Sequence, residues 1–103
     1  MAKFGLLGLV ESFAAEVAAL GIRANAVCPG NVDSPMLEAV SEQIAAREGR
    51  PTEAVMEELV TAAASKRLVE PREVAETCLW LCSPASSGVT GESVNVDGGA
   101  LTG

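Results

Sequence analysis

Residues 22–36, Ile-Arg-Ala-Asn-Ala-Val-Cys-Pro-Gly-Asn-Val-Asp-Ser-Pro-Met, constrain this chain more than any other stretch. Residues 22–28 carry small and β-branched side chains with no helical spacing, and Pro29-Gly30 stops them abruptly. That pattern predicts a buried strand running into a tight loop. Ser34-Pro35 then offers an N-cap and a first-turn proline, so a helix is expected from about Met36. Open α/β sheets bind their ligands where a strand ends in such a loop and a helix opens beyond it. The loop presents the Val32 carbonyl and N–H and the Ser34 hydroxyl, groups able to hold a planar amide. On spacing alone, such a link serves structure more often than binding.

What surrounds that stretch narrows the class. A chain of 103 residues is one small domain or a piece of a larger one. With 49% hydrophobic and only 20% charged residues it can bury a core, which argues against disorder. The net charge of −7 and the absence of any Lys/Arg cluster argue against nucleic acid and anionic membranes as partners. No apolar run reaches the ~20 residues of a membrane span, and Met1-Ala2-Lys3 lacks a secretory signature, so a cytoplasmic setting is expected. Cys28, Cys78 and Cys82 are odd in number and lie in apolar surroundings, which predicts reduced core thiols. Cys78 and Cys82 share a helix face. With no His in the chain and no further ligand nearby, they do not make a zinc site, and no metal is expected.

The flanking segments alternate helix and strand. Leu6, Leu9 or Val10, Phe13, Val17 and Leu20 recur at helical spacing over residues 3–20, and Gly21 stands where a helix would end. Gly5 and Gly8 each cost that helix ~1 kcal/mol against alanine. Close approach of a neighbouring helix or ligand explains them as readily as tolerated weakness. A helix over residues 35–47 would bury Leu37, Val40 and Ile44. Residues 48–51 break it, and a second helix capped by Thr52 is expected to run to about residue 66. Val55, Met56, Leu59, Val60 and Ala63 would be its buried side. The pair reads as a helical hairpin, either plain packing or a lid with Met36, Leu37 and Val40 against a substrate. A further helix over residues 71–82 would bury Val74, Cys78 and Leu81, and a short strand over 92–96 ends at Asp97-Gly98-Gly99. Strand, helices and strand form a crossover, so the two strands are expected to be parallel. Two parallel strands leave edges and faces uncovered, so further sequence or another chain is expected to complete the sheet.

Read together, five ordered segments resemble the C-terminal part of the short-chain dehydrogenase/reductase family. They are Ala2-Lys3-Phe4-Gly5-Leu6-Leu7-Gly8-Leu9, Gly21-Ile22-Arg23-Ala24-Asn25-Ala26-Val27-Cys28-Pro29-Gly30 and Val32-Asp33-Ser34-Pro35-Met36. Glu70-Pro71-Arg72-Glu73-Val74-Ala75 follows, then Thr90-Gly91 with Val94-Asn95-Val96-Asp97-Gly98-Gly99. The fold this implies is α/β, the C-terminal portion of a Rossmann-like doubly wound parallel sheet. It would have two strands and about four helices, be incomplete on its own, and span residues 1–103 with a lid at about 35–67.

The resemblance also implies an activity: NAD(P)-dependent hydride transfer between a nicotinamide cofactor and an alcohol or ketone, in a homotetramer. Lys3 falls on the lysine of the family's Tyr-x-x-x-Lys motif, where an ammonium beside a phenol favours phenolate and binds the nicotinamide ribose. Pro29, Gly30, Asn31, Val32 and Ser34 would flank the nicotinamide, with the Val32 backbone and Ser34 hydroxyl on its carboxamide. The motif's tyrosine would lie four residues before Lys3, and the chain contains no Tyr. Its Gly-rich dinucleotide loop, its cofactor-selecting residue and its catalytic serine are likewise expected upstream, so this chain alone is expected to be inactive. The helical segment before Glu70 resembles forms acting on hydroxybutyrate or small cyclic alcohols, although Asn31 stands where the former tend to carry tryptophan. The alternative is a truncated, non-catalytic homologue acting in oligomerisation or binding.

Overall fold

A computed structural model describes the backbone of residues 2–100 and the side chains of residues 5–100. The order is α1 (Ala2–Val17), β1 (Ala26–Pro29), α2 (Pro35–Glu48), α3 (Thr52–Thr61), α4 (Pro71–Leu81) and β2 (Ser93–Val96), with single 3-10 turns at Ala18–Leu20 and Pro84–Ser86. The two strands form one sheet. Ala26 N–H donates to Glu92 O at 2.9 Å and Gly30 N–H to Val96 O at 3.0 Å. Both partners advance in the same sense, so the pairing is parallel, as the crossover required. The chain divides into two compact units, residues 1–28 with 75–95 and residues 29–74 with 96–103.

In the first unit, α1 runs into its 3-10 turn and stops at Gly21, whose φ of 75° is the left-handed conformation that closes a helix. Its core residue is Ala14, 3% exposed. Leu6, Leu9, Phe13 and Leu20, from the apolar stripe of this helix, lie at the surface, Leu9 at 66%. A parallel sheet needs helices over both faces, and two strands offer too little surface to cover this stripe. The strand expected from residue 22 starts only at Ala26. Residues 22–25 instead clasp the turn before β2. Asn25 Nδ2 donates to Val89 O at 3.0 Å while Asn25 Oδ1 accepts from Glu92 N–H at 3.0 Å. Gly91 N–H donates to Ala24 O at 2.8 Å. Arg23 reaches the loop after α4, its Nη1 donating to Ser86 O at 2.9 Å, Ser86 Oγ at 3.2 Å and Val89 O at 3.1 Å. Ser86 is buried, and its hydroxyl also bonds the carbonyl of Leu81 at 2.9 Å, closing the end of α4.

Helix α4 buries Leu81, but Cys78 is exposed, with Leu79 and Trp80. The core-thiol expectation therefore fails for Cys78 and Cys82, both exposed, while Cys28 is half-buried; all three are free thiols. The cause is the same as for α1: the apolar stripe has no further strand to lie on.

In the second unit, Ser34 Oγ accepts from Leu37 N–H at 3.3 Å and Pro35 opens α2, as the sequence predicts. Gly49, φ 65°, ends it. Helix α2 packs on α3, with Ser41 and Ala45 buried on α2 and Val55 on α3. Leu37 and Ile44 are half-buried and Val40 is exposed, because small residues hold the close position between the helices. Helix α3 ends at Thr61, not near residue 66. Beyond it Ala63 pairs antiparallel with Ala100: Ala64 N–H donates to Gly99 O at 2.8 Å and Ser65 N–H to Gly98 O at 3.0 Å. Those donors would otherwise have continued the helix. Thr52 lies inside the first turn, and Pro51 holds the cap position without a side-chain bond. The unit's core is Ala45, Val55, Ala63 and Val69.

Candidate functional site

The loop after β1 belongs to the second unit, and three tethers hold it. Pro29, exposed, ends the strand. Gly30 follows, and a Cβ there would lie 2.8 Å from Asp97 Cβ and 3.0 Å from Asp97 Cα. Glycine is needed at this position because the turn after β2 comes too close for any side chain. Asn31 Nδ2 donates to Leu59 O at 2.9 Å, tying the loop to the end of α3. Val69 then clasps both sides of Val32, its N–H donating to Asn31 O at 2.9 Å and its carbonyl accepting from Asp33 N–H at 2.8 Å. In this parallel bridge, Val32 is the middle residue, so its own N–H and carbonyl point to the opposite edge. Ser34 Oγ donates to Val32 O at 3.2 Å while capping α2. The fold thus gathers Gly30, Asn31, Val32 and Ser34 into one rigid turn, with the Val32 amide edge and the Ser34 oxygen side by side.

The three residues expected to line a lid separate. Met36 is 77% exposed and Val40 39%. Leu37 borders a cleft of about 450 Å³, together with Asp33, Ser34, Glu38, Met56 and Leu68. Met56 and Leu68 were not singled out from sequence as bordering a site. Helical periodicity showed Met56 to be apolar, but only the fold brings α3 and residue 68 to this cleft. The Lys3 side chain lies outside the described residues.

Behind the loop, Arg67 borders a small cavity of about 160 Å³ with Gly30, Asn31 and Asp97. Its guanidinium bonds Glu73 through two contacts, 2.7 and 2.9 Å, and the Glu70 N–H donates to the same carboxylate at 2.9 Å. The Arg67 hydrogen bonds, and then that backbone donor, pull the Glu73 carboxyl down to about 2. Glu73 in turn raises the Arg67 guanidinium. The pair fixes residue 67 just ahead of the Val69 clasp. The first unit carries a separate cleft of about 470 Å³, bordered by Arg23, Asn25, Cys78 and Cys82. Among the described residues no group of three or more His, Cys, Asp or Glu could hold a metal, and no helix is long and apolar enough to cross a membrane.

A family model described as Enoyl-(Acyl carrier protein) reductase matches residues 1–101 of the chain. The chain belongs to the short-chain dehydrogenase/reductase family. Short-chain dehydrogenase/reductase relatives match it nearly from end to end. Oxidoreductase UcpA of Escherichia coli strain K12 is 40% identical over 102 residues, covering 97% of this chain and 37% of UcpA. The chain therefore spans a little over a third of that relative's length and corresponds to its C-terminal part. A short-chain dehydrogenase family protein from Francisella tularensis subsp. tularensis SCHU S4 superposes with a TM-score of 0.87 at 28% identity, covering 98% of this chain and 42% of that one. L-sorbose reductase from Gluconobacter frateurii, solved with NADPH and L-sorbose, superposes with a TM-score of 0.83 at 26% identity over 98% of this chain and 39% of its own. The fold is thus part of a Rossmann-like α/β domain, in a family of oxidoreductases that use NAD or NADP.

Proposed function

We propose that residues 1–103 are the C-terminal portion of a single Rossmann-like domain of an NAD(P)-dependent oxidoreductase, acting on an alcohol or ketone. In this reading the chain supplies the nicotinamide-flanking turn and the substrate lid, at about residues 35–67. The observation that carries it is the Val69 clasp on Val32. With Asn31 O and Asp33 N–H tied on one edge, the Val32 N–H and carbonyl face the other, beside the Ser34 oxygen. One donor and two acceptors in a rigid turn fit a primary carboxamide. Each hydrogen bond to it would contribute about 0.5–1.5 kcal/mol. Pro29 and Gly30 bring the turn to the end of the strand, and Asn31 anchors it to α3.

The nicotinamide cofactor, when bound, supplies the hydride acceptor or donor. This chain's residues orient it and cover the substrate. In this reading Lys3 takes the role the family motif assigns to its lysine, an ammonium that would lower a neighbouring phenol's pKa from ~10 and ready it to take the alcohol proton. Since the 103 residues contain no Tyr, the chain alone has no group to perform that transfer and does not turn over. The three free cysteines fit a reducing, cytoplasmic setting.

The exposed face of α1 favours a second role in assembly, as one contact of a homotetramer or as the whole function of a non-catalytic homologue. One experiment separates these readings. The 103-residue chain and the same chain extended by its upstream coding sequence are assayed with NADH and NADPH against a ketone panel. The enzyme reading expects turnover from the extended protein alone, and a raised cofactor KM in its Ser34→Ala variant. Absence of turnover from the extended protein with either cofactor would leave the assembly reading standing.

A further inference from the structure

The cleft beside the proposed carboxamide turn carries charge information that bears on substrate class. Leu37, Met56 and Leu68 form its apolar walls, and Asp33, Ser34 and Glu38 its polar rim. Among the described residues, no lysine, arginine or histidine borders it. The N-terminus of α2 opens onto this rim, and a bare helix N-terminus would attract an anion. Here that attraction is already used. The Leu37 N–H donates to Ser34 Oγ and the Glu38 N–H to Ser34 O at 3.2 Å, while Glu38 puts a carboxylate in the helix's first turn. Asp33, exposed on the other side of Ser34, adds a second negative charge.

We infer that this cleft selects uncharged carbonyl and alcohol substrates and rejects those bearing a carboxylate. Met56 and Leu68 set the size of the apolar group accepted. The inference rests on the proposed oxidoreductase reading and names the substrate class of the same site. A substrate carboxylate entering the cleft meets two like charges, with no counter-ion among the described lining residues, and it gives up hydration for apolar walls. A neutral cyclic or branched ketone loses nothing comparable and gains contact with Leu37, Met56 and Leu68. Among the two substrate types the helical segment resembles, hydroxy acids are disfavoured and small cyclic alcohols favoured.

The test uses the extended, cofactor-competent protein with two probes of similar size, cyclopentanone and 3-oxobutanoate. The expected result is a kcat/KM for the neutral ketone at least ten-fold above that for the keto acid. The joint variant Asp33→Asn, Glu38→Gln should narrow that ratio several-fold by raising the keto acid's kcat/KM. Should the variant fail to fold, raising the ionic strength of the wild-type assay should narrow the ratio in the same direction, because the rim charges are exposed to salt. Met56→Ala should shift preference toward bulkier neutral ketones. A keto acid used as well as the neutral ketone would overturn the inference and leave the oxidoreductase reading intact. So would a ratio that responds neither to the variant nor to salt. Absence of turnover with every carbonyl tried would overturn both.

Discussion

Gly30→Ala tests the geometry of the site most sharply, because the fold leaves a measurable shortfall of space there. The added Cβ would sit 2.8 Å from Asp97 Cβ and 3.0 Å from Asp97 Cα. Carbon atoms in contact rest about 3.5–4.0 Å apart, so loop and turn must separate by roughly 0.7 Å or more. Both segments are restrained, Gly30 N–H by Val96 O at 3.0 Å and Asp97 Oδ1 by Gly99 N–H at 2.9 Å. Overpacking of this kind costs about 1–3 kcal/mol. Gly30 is not in the left-handed region, so alanine also stiffens the unfolded chain and returns about 0.4–1 kcal/mol. The net expectation is a loss of up to about 2.6 kcal/mol, or a Tm lower by up to roughly 5–10 °C in a protein of the extended length. Thermal unfolding followed by circular dichroism reads it, with the cofactor KM rising in the same variant because Asn31 and Val32 move with residue 30. The control is Asp97→Gly, which removes the Cβ that is struck. In the double variant the two losses should fall short of additive by about 1 kcal/mol. A variant that melts at or above wild type, or strictly additive losses, would refute the close-approach argument.

Further outcomes follow from the other tethers. Arg23→Ala strips the donors from Ser86 O and Val89 O and should cost about 2–4 kcal/mol, with Arg23→Lys costing roughly half; the urea midpoint at constant slope reads both. Glu73, held down at about 2, binds its proton less readily folded than unfolded. Its contribution is therefore present above pH 4.5 and lost as pH falls toward 2, so the Tm difference between wild type and Glu73→Gln should shrink over that interval. A Cβ at Gly8 would meet nothing within 4 Å among the described residues. If the glycines on α1 serve a second copy, Gly8→Leu should reduce the assembly mass seen by light scattering, and an unaltered mass would reject that use.

The elements that could be read from sequence are those set by neighbours within one turn. Ser34 and Pro35 start α2, Gly21 and Gly49 end helices through positive φ, and Pro71 opens α4, all through bonds spanning a few residues. The ordered motifs also sufficed for the family, because each is a local requirement of strand, turn or cap. What the tertiary structure decided depends on residues far apart in the chain. Ala100 ends α3 early by pairing with Ala63, and Val69 fixes which edge of Val32 is presented. Asn25 and Arg23 shorten β1 by binding the loop that precedes β2. That two strands would leave apolar faces uncovered also follows from the sequence, and the stripe on α1 is exposed accordingly, but which of its side chains find cover is settled only by packing. Met56 and Leu68 join the cleft for the same reason: their chemistry is written locally, but their neighbours are assigned by packing.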